Sequence, residues 1–445
     1  MKQNADYPRV LVISHNCFSK TDSNGRTLSH FFSGWPKDRL AQFYIQDADP
    51  DFAVCDKYFR VTDAQAVAAW WGKRGGGVVA PLDAEPVSSS SASSSRRPRR
   101  NALTMMARNA VWNGGAWKRS GFYAWADAFA PQAVLLQAGD NAFMFALARK
   151  AAARYGVPLL IYNSEGYYFK KFDYFRAKGP AHWCYPVFRW GFCREFRRTQ
   201  RCAAYNFYIC DDLRLAYERE FDTPAVTLYT ASDCPVAVPQ PHEGFVVSYL
   251  GNLGLGRHEG LVAIAETLQG ISKDYRLDVY GKIPNDAVGD ALAACDGICY
   301  RGFLDYEGVV TAMGESDLLV HTESFDPFYT EDLRFAFSTK IADSLACGRC
   351  FLLYAPATLA CYRYLNENSL AYTVDTLEDL TATLRLLAQD PAARERYVAN
   401  ARQAARERHS VEVNRMTFAA IITETVGAAH EGATSELCLP QGQHG

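Results

Sequence analysis

Phe245-Val-Val-Ser-Tyr-Leu-Gly-Asn-Leu-Gly-Leu-Gly-Arg257 is the stretch that decides the fold. Its first six residues are mostly β-branched, aromatic or aliphatic, as in a buried strand. Glycines at 251, 254 and 256 end the run, and a helical pattern over 259–268 follows. The same alternation continues outward. Strands are expected at 277–280, 297–300, 318–321 and 351–354, and helices at 286–294, 306–313 and 339–346. Short apolar strands alternating with helices predict βαβ units and a parallel sheet. Right-handed crossovers then give a doubly wound, Rossmann-like domain.

The first half repeats the pattern less cleanly. Strands are expected at 10–14, 41–45, 133–136, 158–162, 206–209 and 226–229. A polar loop over 19–26 leads into a helix near 27–32, and another helix spans 142–155. Two α/β domains of similar size result, 1–235 and 241–429, divided at the proline-rich Cys234-Pro-Val-Ala-Val-Pro-Gln-Pro241. Asp390-Pro391 reads as a helix start, and Ser410 is placed to cap a last helix to about 426. Residues 430–445 read as a disordered tail, and the serine- and arginine-rich 85–100 as a flexible loop. Residues 60–130 give little pattern.

At 445 residues with 49% apolar and 22% charged side chains, the chain has the composition of a globular protein of two or three domains. A net charge of −2 argues against a globally basic nucleic-acid binder. Thirteen scattered cysteines are expected as reduced thiols in a cytoplasmic protein. The N-terminal apolar run is a strand rather than a secretory segment, and no stretch reaches the length of a membrane-spanning helix.

Two motifs carry chemistry. In Gly251-Asn252-Leu-Gly254-Leu-Gly256-Arg257, glycines let a ligand approach the backbone and the helix N-terminus offers free N–H groups. Arg257 adds a cation suited to a diphosphate. The alternative is a glycine turn with a surface arginine. The spacing matches neither a Walker A loop nor the dinucleotide fingerprint. In Ser338-Thr339-Lys340-Ile-Ala-Asp343-Ser-Leu-Ala-Cys-Gly348, a capped helix carries Lys340 and Asp343 three residues apart on one face. The pair either meets a ligand at the carboxyl edge of the sheet or forms a surface ion pair.

Other features are read as structural. Cys347-Gly-Arg-Cys350 lacks a second ligand pair for zinc and reads as two buried thiols. His15 is a loop residue and His258 a helix cap, and His321, ending a strand, is either a packed side chain or a contact to donor or acceptor. Asp140 is placed to cap the helix from 142. No Gly-x-Ser-x-Gly elbow is present. Segments 86–125 and 170–201 interleave Lys and Arg with aromatics. They are either solvated faces or a basic-aromatic surface for an anionic partner such as lipid headgroups.

The C-terminal half resembles the donor domain of retaining GT-B glycosyltransferases, glycosyltransferase family 4. The resemblance rests on Tyr249–Arg257, Asp278-Val-Tyr-Gly281, Gly302-Phe-Leu-Asp-Tyr-Glu307, Ser316-Asp-Leu-Leu-Val-His321 and Lys340–Gly348 followed by Phe351-Leu-Leu, in matching order and spacing. The first half is similar only at Asn24-Gly25-Arg26 and Tyr162-Asn-Ser-Glu165.

The resemblance implies a GT-B enzyme whose two Rossmann-like domains face each other across a cleft. It implies a UDP- or GDP-sugar as donor and no obligatory metal or other cofactor. Arg257 and Lys340 would hold the diphosphate, supported by Gly251, Asn252, Gly254, Gly256, Ser338 and Thr339. Phe303 and Leu304 would flank the base, and Asp343 would grip the ribose. The family's first glutamate position is Phe335 here, which leaves sugar contacts to Glu323, Asp326 or the Ser338 region. Acceptor-side candidates are Asn24, Gly25, Arg26, Asp140 and Glu165; Glu165 either orients an acceptor hydroxyl or is an N-cap or loop carboxylate paired with Lys170 or Lys171.

The expected activity is retaining transfer of a hexose or N-acetylhexosamine to a glycan or lipid-linked acceptor, in cell-surface polysaccharide synthesis. The expected location is cytoplasmic, peripheral on the inner face of the membrane. Two alternatives stay open: a nucleotide-sugar epimerase, and a catalytically silent scaffold subunit of a polysaccharide-synthesis complex, which Phe335 in place of a glutamate keeps open.

Overall fold

The computed structural model describes residues 7–20, 22–81 and 100–437, without the side chains of 430 and 432–437. The chain forms two compact units, Met1–Thr227 with Arg415–Gly445, and Leu228–Asn414.

The first unit is built on β1 (Val10–Ser14), β2 (Leu40–Tyr44), β3 (Tyr58–Arg60), β4 (Gly77–Val79), β5 (Ala133–Ala138), β6 (Leu159–Asn163), β7 (Ala203–Tyr208) and β8 (Ala225–Thr227). Their order is β4-β3-β2-β1-β5-β6-β7-β8, parallel throughout except between β3 and β4. β1 and β6 are buried along their whole length. Central strands covered on both faces are continuously apolar in this way, which is why they are recognisable. β3 and β4 have three residues each, too few to show an alternation.

The last helix, Val411–Leu437, starts where expected, with the Ser410 hydroxyl accepting from Val413 N at 3.3 Å. From Arg415 onward it belongs to the first unit. There Phe418, fully buried, stacks on Phe31 and meets Phe32 and Phe207 edge-on or tilted, at centroid distances of 4.8–5.1 Å. Apolar periodicity identifies a helix but not the core it joins, so the boundary read at 429 differs from this division. The helix also runs through 430–437, where a tail was expected. Residues 438–445 and 85–99 lie outside the described residues.

The second unit holds β9 (Val247–Leu250), β10 (Leu277–Tyr280), β11 (Ile298–Gly302), β12 (Leu318–Thr322), β13 (Cys350–Tyr354) and β14 (Tyr372–Val374). The order is β11-β10-β9-β12-β13-β14, all parallel. Its core joins Val247, Tyr249, Val279 and Leu352 to Leu261, Ile264 and Leu268 of the helix Arg257–Ile271. Each such side chain contributes roughly 1.5–3 kcal/mol on burial. The chain lays β9, β10 and β11 in one direction, then returns beside β9 with β12 and proceeds the other way. The order therefore reverses between β9 and β12, and the crevice outside their carboxyl ends is where ligands bind in open α/β sheets.

Candidate functional site at the carboxyl edge of the second sheet

The glycine loop leaves β9 at this switch point. Asn252 Oδ1 accepts from Gly254 N at 2.8 Å and shapes the turn. Gly256 has φ +76° and is the N-cap of the helix Arg257–Ile271. A Cβ there would lie 2.5 Å from Ser324 Oγ. One turn on, Gly260 packs against Thr322. The glycines thus let the first turn of the helix lie against the end of β12. His258, expected as the cap, lies within that turn instead, and its buried Nδ1 has no partner among the described residues.

This packing brings Arg257 to Glu323. Arg257 Nε donates to Glu323 Oε2 at 2.9 Å and Nη2 to Oε1 at 2.8 Å, with Arg257 7% and Glu323 3% exposed. His321 Nε2 lies 3.1 Å from Glu323 Oε1, and its ring stacks on Tyr249. Burial opposes ionisation of Glu323, but the Arg257 charge and hydrogen bonds from His321 and Arg257 outweigh it and hold the carboxyl below its ordinary range. For His321 burial prevails over Glu323, and its pKa falls. Glu323, expected to contact a sugar, therefore has both oxygens engaged within the fold.

The helix Thr339–Ala346 starts at the same edge, with the Ser338 hydroxyl accepting from Lys340 N at 3.3 Å. Lys340 Nζ lies 3.8 Å from Asp343 Oδ2, and Asp343 Oδ1 accepts from Ser232 Oγ at 2.7 Å. The Lys340 side chain is more than one-third exposed. Phe303 follows β11 and is exposed, with Lys282 Nζ 4.3 Å from its ring centre, and Leu304 is half-buried beside it. Sequence reasoning did not single out Ser232 or Lys282. Asp326 caps the helix Pro327–Asp332 through Phe328 N and Tyr329 N. Phe335 is 9% exposed, with the Arg334 guanidinium over its ring. Cys347 and Cys350 are buried, which pushes their thiols up to about 11 and about 12. Among the described residues no three His, Cys, Asp or Glu side chains converge to hold a metal ion.

In the first unit, Asn24, Gly25 and Arg26 are not in a loop but in the first turn of the helix Ser23–Phe31. Asp22 caps that helix by accepting from Gly25 N at 2.9 Å, so it begins earlier than the apolar pattern indicates. A Cβ on Gly25 would run into the Cys17 carbonyl, so this glycine serves close packing. Asp140 follows β5 but does not cap the next helix. Asn141 holds the N-cap position without a side-chain bond, while Asp140 is paired with Arg100 and accepts from Tyr174 Oη at 3.2 Å. Glu165 follows β6, nearly half exposed, with Lys170 Nζ 3.6 Å away.

The basic-aromatic segments are only partly surface. Trp112, Trp117 and Phe122 are core residues of the first unit, as are Phe188, Phe192 and Phe196 of the helix Tyr185–Gln200. Residues 86–99 lie outside the described residues. No helix among the described residues is long and apolar enough to cross a membrane.

Comparison with known proteins bears on the fold. Residues 257–420 match the model of a family described as glycosyl transferase-like. No curated protein matches the sequence. Among solved structures, sucrose-phosphate synthase from Thermosynechococcus elongatus superposes with a TM-score of 0.63 at 11% identity, over 94% of this chain and 100% of that one. Alr3699/HepE from Anabaena, solved in complex with UDP, gives 0.60 at 11% identity over 94% and 100%. The lipopolysaccharide outer core galactosyltransferase WaaB gives 0.55 at 12% identity over 95% and 99%. The chain thus has the two-domain GT-B fold of glycosyltransferases and carries a glycosyl transferase-like domain over residues 257–420.

Proposed function

We propose that this protein is a retaining glycosyltransferase that moves a hexose or N-acetylhexosamine from a UDP- or GDP-sugar to a glycan or lipid-linked acceptor. The observation that carries the reading is the convergence of two helix N-termini and Lys340 on the switch point between β9 and β12. Backbone N–H groups at helix starts are ready-made phosphate ligands. Lys340 supplies a mobile point charge beside them. The Glu323 pair uses Nε and Nη2 of Arg257, so Nη1 is the edge that would meet a diphosphate. Asp343, fixed by Ser232, would accept from the ribose, and Phe303 would stack on the base. Three solved structures of the Anabaena protein contain UDP, UDP with glucose, or UDP-glucose, which supports a nucleotide sugar as the donor class.

In this reading the cationic clamp stabilises charge developing on the departing diphosphate, worth most where it is pre-organised. The acceptor attacks from the leaving-group face, and a β-phosphate oxygen takes its proton. Glu165 orients the acceptor hydroxyl, and no metal is obligatory.

Thermal melting with UDP, GDP, ADP, TDP and CMP, with and without EDTA, tests the reading. Ligand at about 100 times its Kd adds about 2.7 kcal/mol, a rise of roughly 5–10 °C for a unit of this size. Lys340→Ala is expected to keep the fold and lose the shift. If no nucleotide stabilises the protein, the scaffold reading replaces this one.

A further inference from the structure

The helix Tyr185–Gln200 and the turn before it have two faces of different character. Tyr185, Phe188, Phe192 and Phe196 point inward, with Phe192 and Phe196 against Phe145 and Phe196 also against Tyr168 and Tyr217, at centroid distances of 5.1–5.7 Å. The opposite face carries Trp183, Val187 and Trp190, then Arg194, Arg197, Arg198 and Arg201. These seven follow one another at spacings of three or four residues, or one, so a single helical stripe holds them all. Trp183 is 75% exposed, Val187 55% and Trp190 64%. Two indoles left in water on one stripe are a costly arrangement for a chain that buries most of its aromatics, and exposed apolar patches mark interaction sites.

The charge around the stripe is one-sided. Residues 170–201 hold nine Lys and Arg against two acids, and both acids are occupied: Asp173 by His182 at 3.0 Å, and Glu195 by Arg149 at 2.7 Å. Lys171, Arg176 and Lys178 lie just before the helix and are also exposed. The Arg194 guanidinium sits 5.4 Å from the Trp190 ring centre, which leaves an indole with a cation at its rim. Such a surface complements a plane of negative charge over an apolar interior. Indoles settle at the headgroup level, while arginines remain with the phosphates.

We propose that this stripe docks the first unit onto an anionic phospholipid surface, with Trp183, Val187 and Trp190 entering the headgroup layer and Arg194, Arg197, Arg198 and Arg201 binding phosphates. This surface is separate from the nucleotide site, so its test does not depend on that reading.

The test is co-sedimentation of the full chain with phosphatidylcholine vesicles, with and without about one-third phosphatidylglycerol. Preferential binding to the anionic vesicles is expected, weakening as salt rises. Trp183→Ala with Trp190→Ala should lower affinity at least about 10-fold. Each of Arg194→Gln and Arg198→Gln should lower it about 5-fold. All four side chains are exposed, so melting temperatures should stay at the wild-type value and separate lost docking from lost folding. Equal binding to neutral and anionic vesicles would overturn the proposal. So would tryptophan variants that bind as wild type. A change in oligomeric mass on substitution, with vesicle binding intact, would make the stripe a protein interface and equally overturn it.

Discussion

Glu323→Gln is the most informative perturbation of the second unit. It keeps the shape of the side chain and removes its charge. Arg257 then stays 7% exposed, without a counter-charge and facing an amide that offers one acceptor where there were two. The amide nitrogen also meets N–H groups of Arg257 or His321. Removing one partner of a buried pair typically costs about 3–5 kcal/mol, because the other charge is left desolvated. At about 2–4 °C per kcal/mol for a domain of this length, melting should fall by roughly 6–20 °C. Arg257→Met should do the same. The double variant Arg257→Met with Glu323→Met buries no charge and should recover most of the loss. Calorimetry of these proteins together with Glu323→Met closes the cycle. Because the folded-state pKa of Glu323 is depressed, the pair's contribution is fully present above the usual carboxylate value and is lost as pH falls through the lower folded value. The reasoning fails if Glu323→Gln melts with the wild type, or if the double variant is as unstable as either single one. A recovered double variant that no longer responds to nucleotide would place Arg257 in the diphosphate clamp.

His409 should make the second unit acid-sensitive. Its Nδ1 faces the Thr230 carbonyl at 2.8 Å, which only accepts, so Nδ1 carries the proton and Nε2 accepts from Tyr364 Oη at 2.9 Å. Burial lowers its pKa to about 4 against a bond that favours the charged form. The unfolded chain therefore binds the proton first. Stability is unaffected well above pH 6.5 and falls between 6.5 and about 4, by up to about 3 kcal/mol. Urea midpoints at pH 7.5 and 4.5 should differ in the wild type and less in His409→Gln, and equal slopes would exclude His409 as the source. Gly256→Ala should lose about 1–3 kcal/mol from positive φ and the contact with Ser324. Gly254→Ala, whose Cβ meets only the Asn252 side chain at 3.2 Å, should lose less; equal melting of the two would contradict this account. With Glu323 and Asp326 engaged in the fold, no carboxylate contact worth about 1.5–3 kcal/mol is added by the sugar. Titration calorimetry should then show the nucleoside diphosphate and its sugar binding within about 10-fold of each other, and a sugar preference above about 100-fold would refute it.

The central parallel strands β1, β6, β12 and β13 were legible because burial on both faces makes them almost continuously apolar, whereas β10 alternates buried and half-buried residues. β1 and β10 were read to the residue, and the helices Ala142–Tyr155 and Thr339–Ala346 with them. The stretch from β3 to the helix Phe122–Phe129 was not. Its described residues form three-residue strands, short helices and the 13-residue helix Ala102–Gly114, and their aromatics Trp112, Trp117 and Phe122 pack on Phe43 from a distant strand. No window of local sequence contains that partner. The helix Ser23–Phe31 was entered late for a related reason. Its first turn is polar, and the Asp22 cap rather than apolar periodicity sets its start.

The candidate site divides the same way. Its loop, cap and helix face are local motifs, so Gly251–Arg257 and Ser338–Asp343 were found from spacing alone. What holds them is not local. Arg257 is fixed by Glu323, 66 residues on, and Asp343 by Ser232, 111 residues back. The start of the helix Thr339–Ala346 is anchored by Phe337, which packs on Tyr229, Tyr364 and His409 at centroid distances of 5.3–5.6 Å. Phe335 is nearly buried in the same segment. Positions 335 and 337 therefore carry apolar side chains in a segment fixed by aromatic packing. A carboxylate at position 335 would have to ionise in a site with little water, with the Arg334 guanidinium that lies over the Phe335 ring as its nearest cation. Phe335 and the aromatic anchoring of the helix start are then parts of one packing solution. In the proposed function the electrostatic work of the site falls to Lys340, Arg257 and the two helix N-termini.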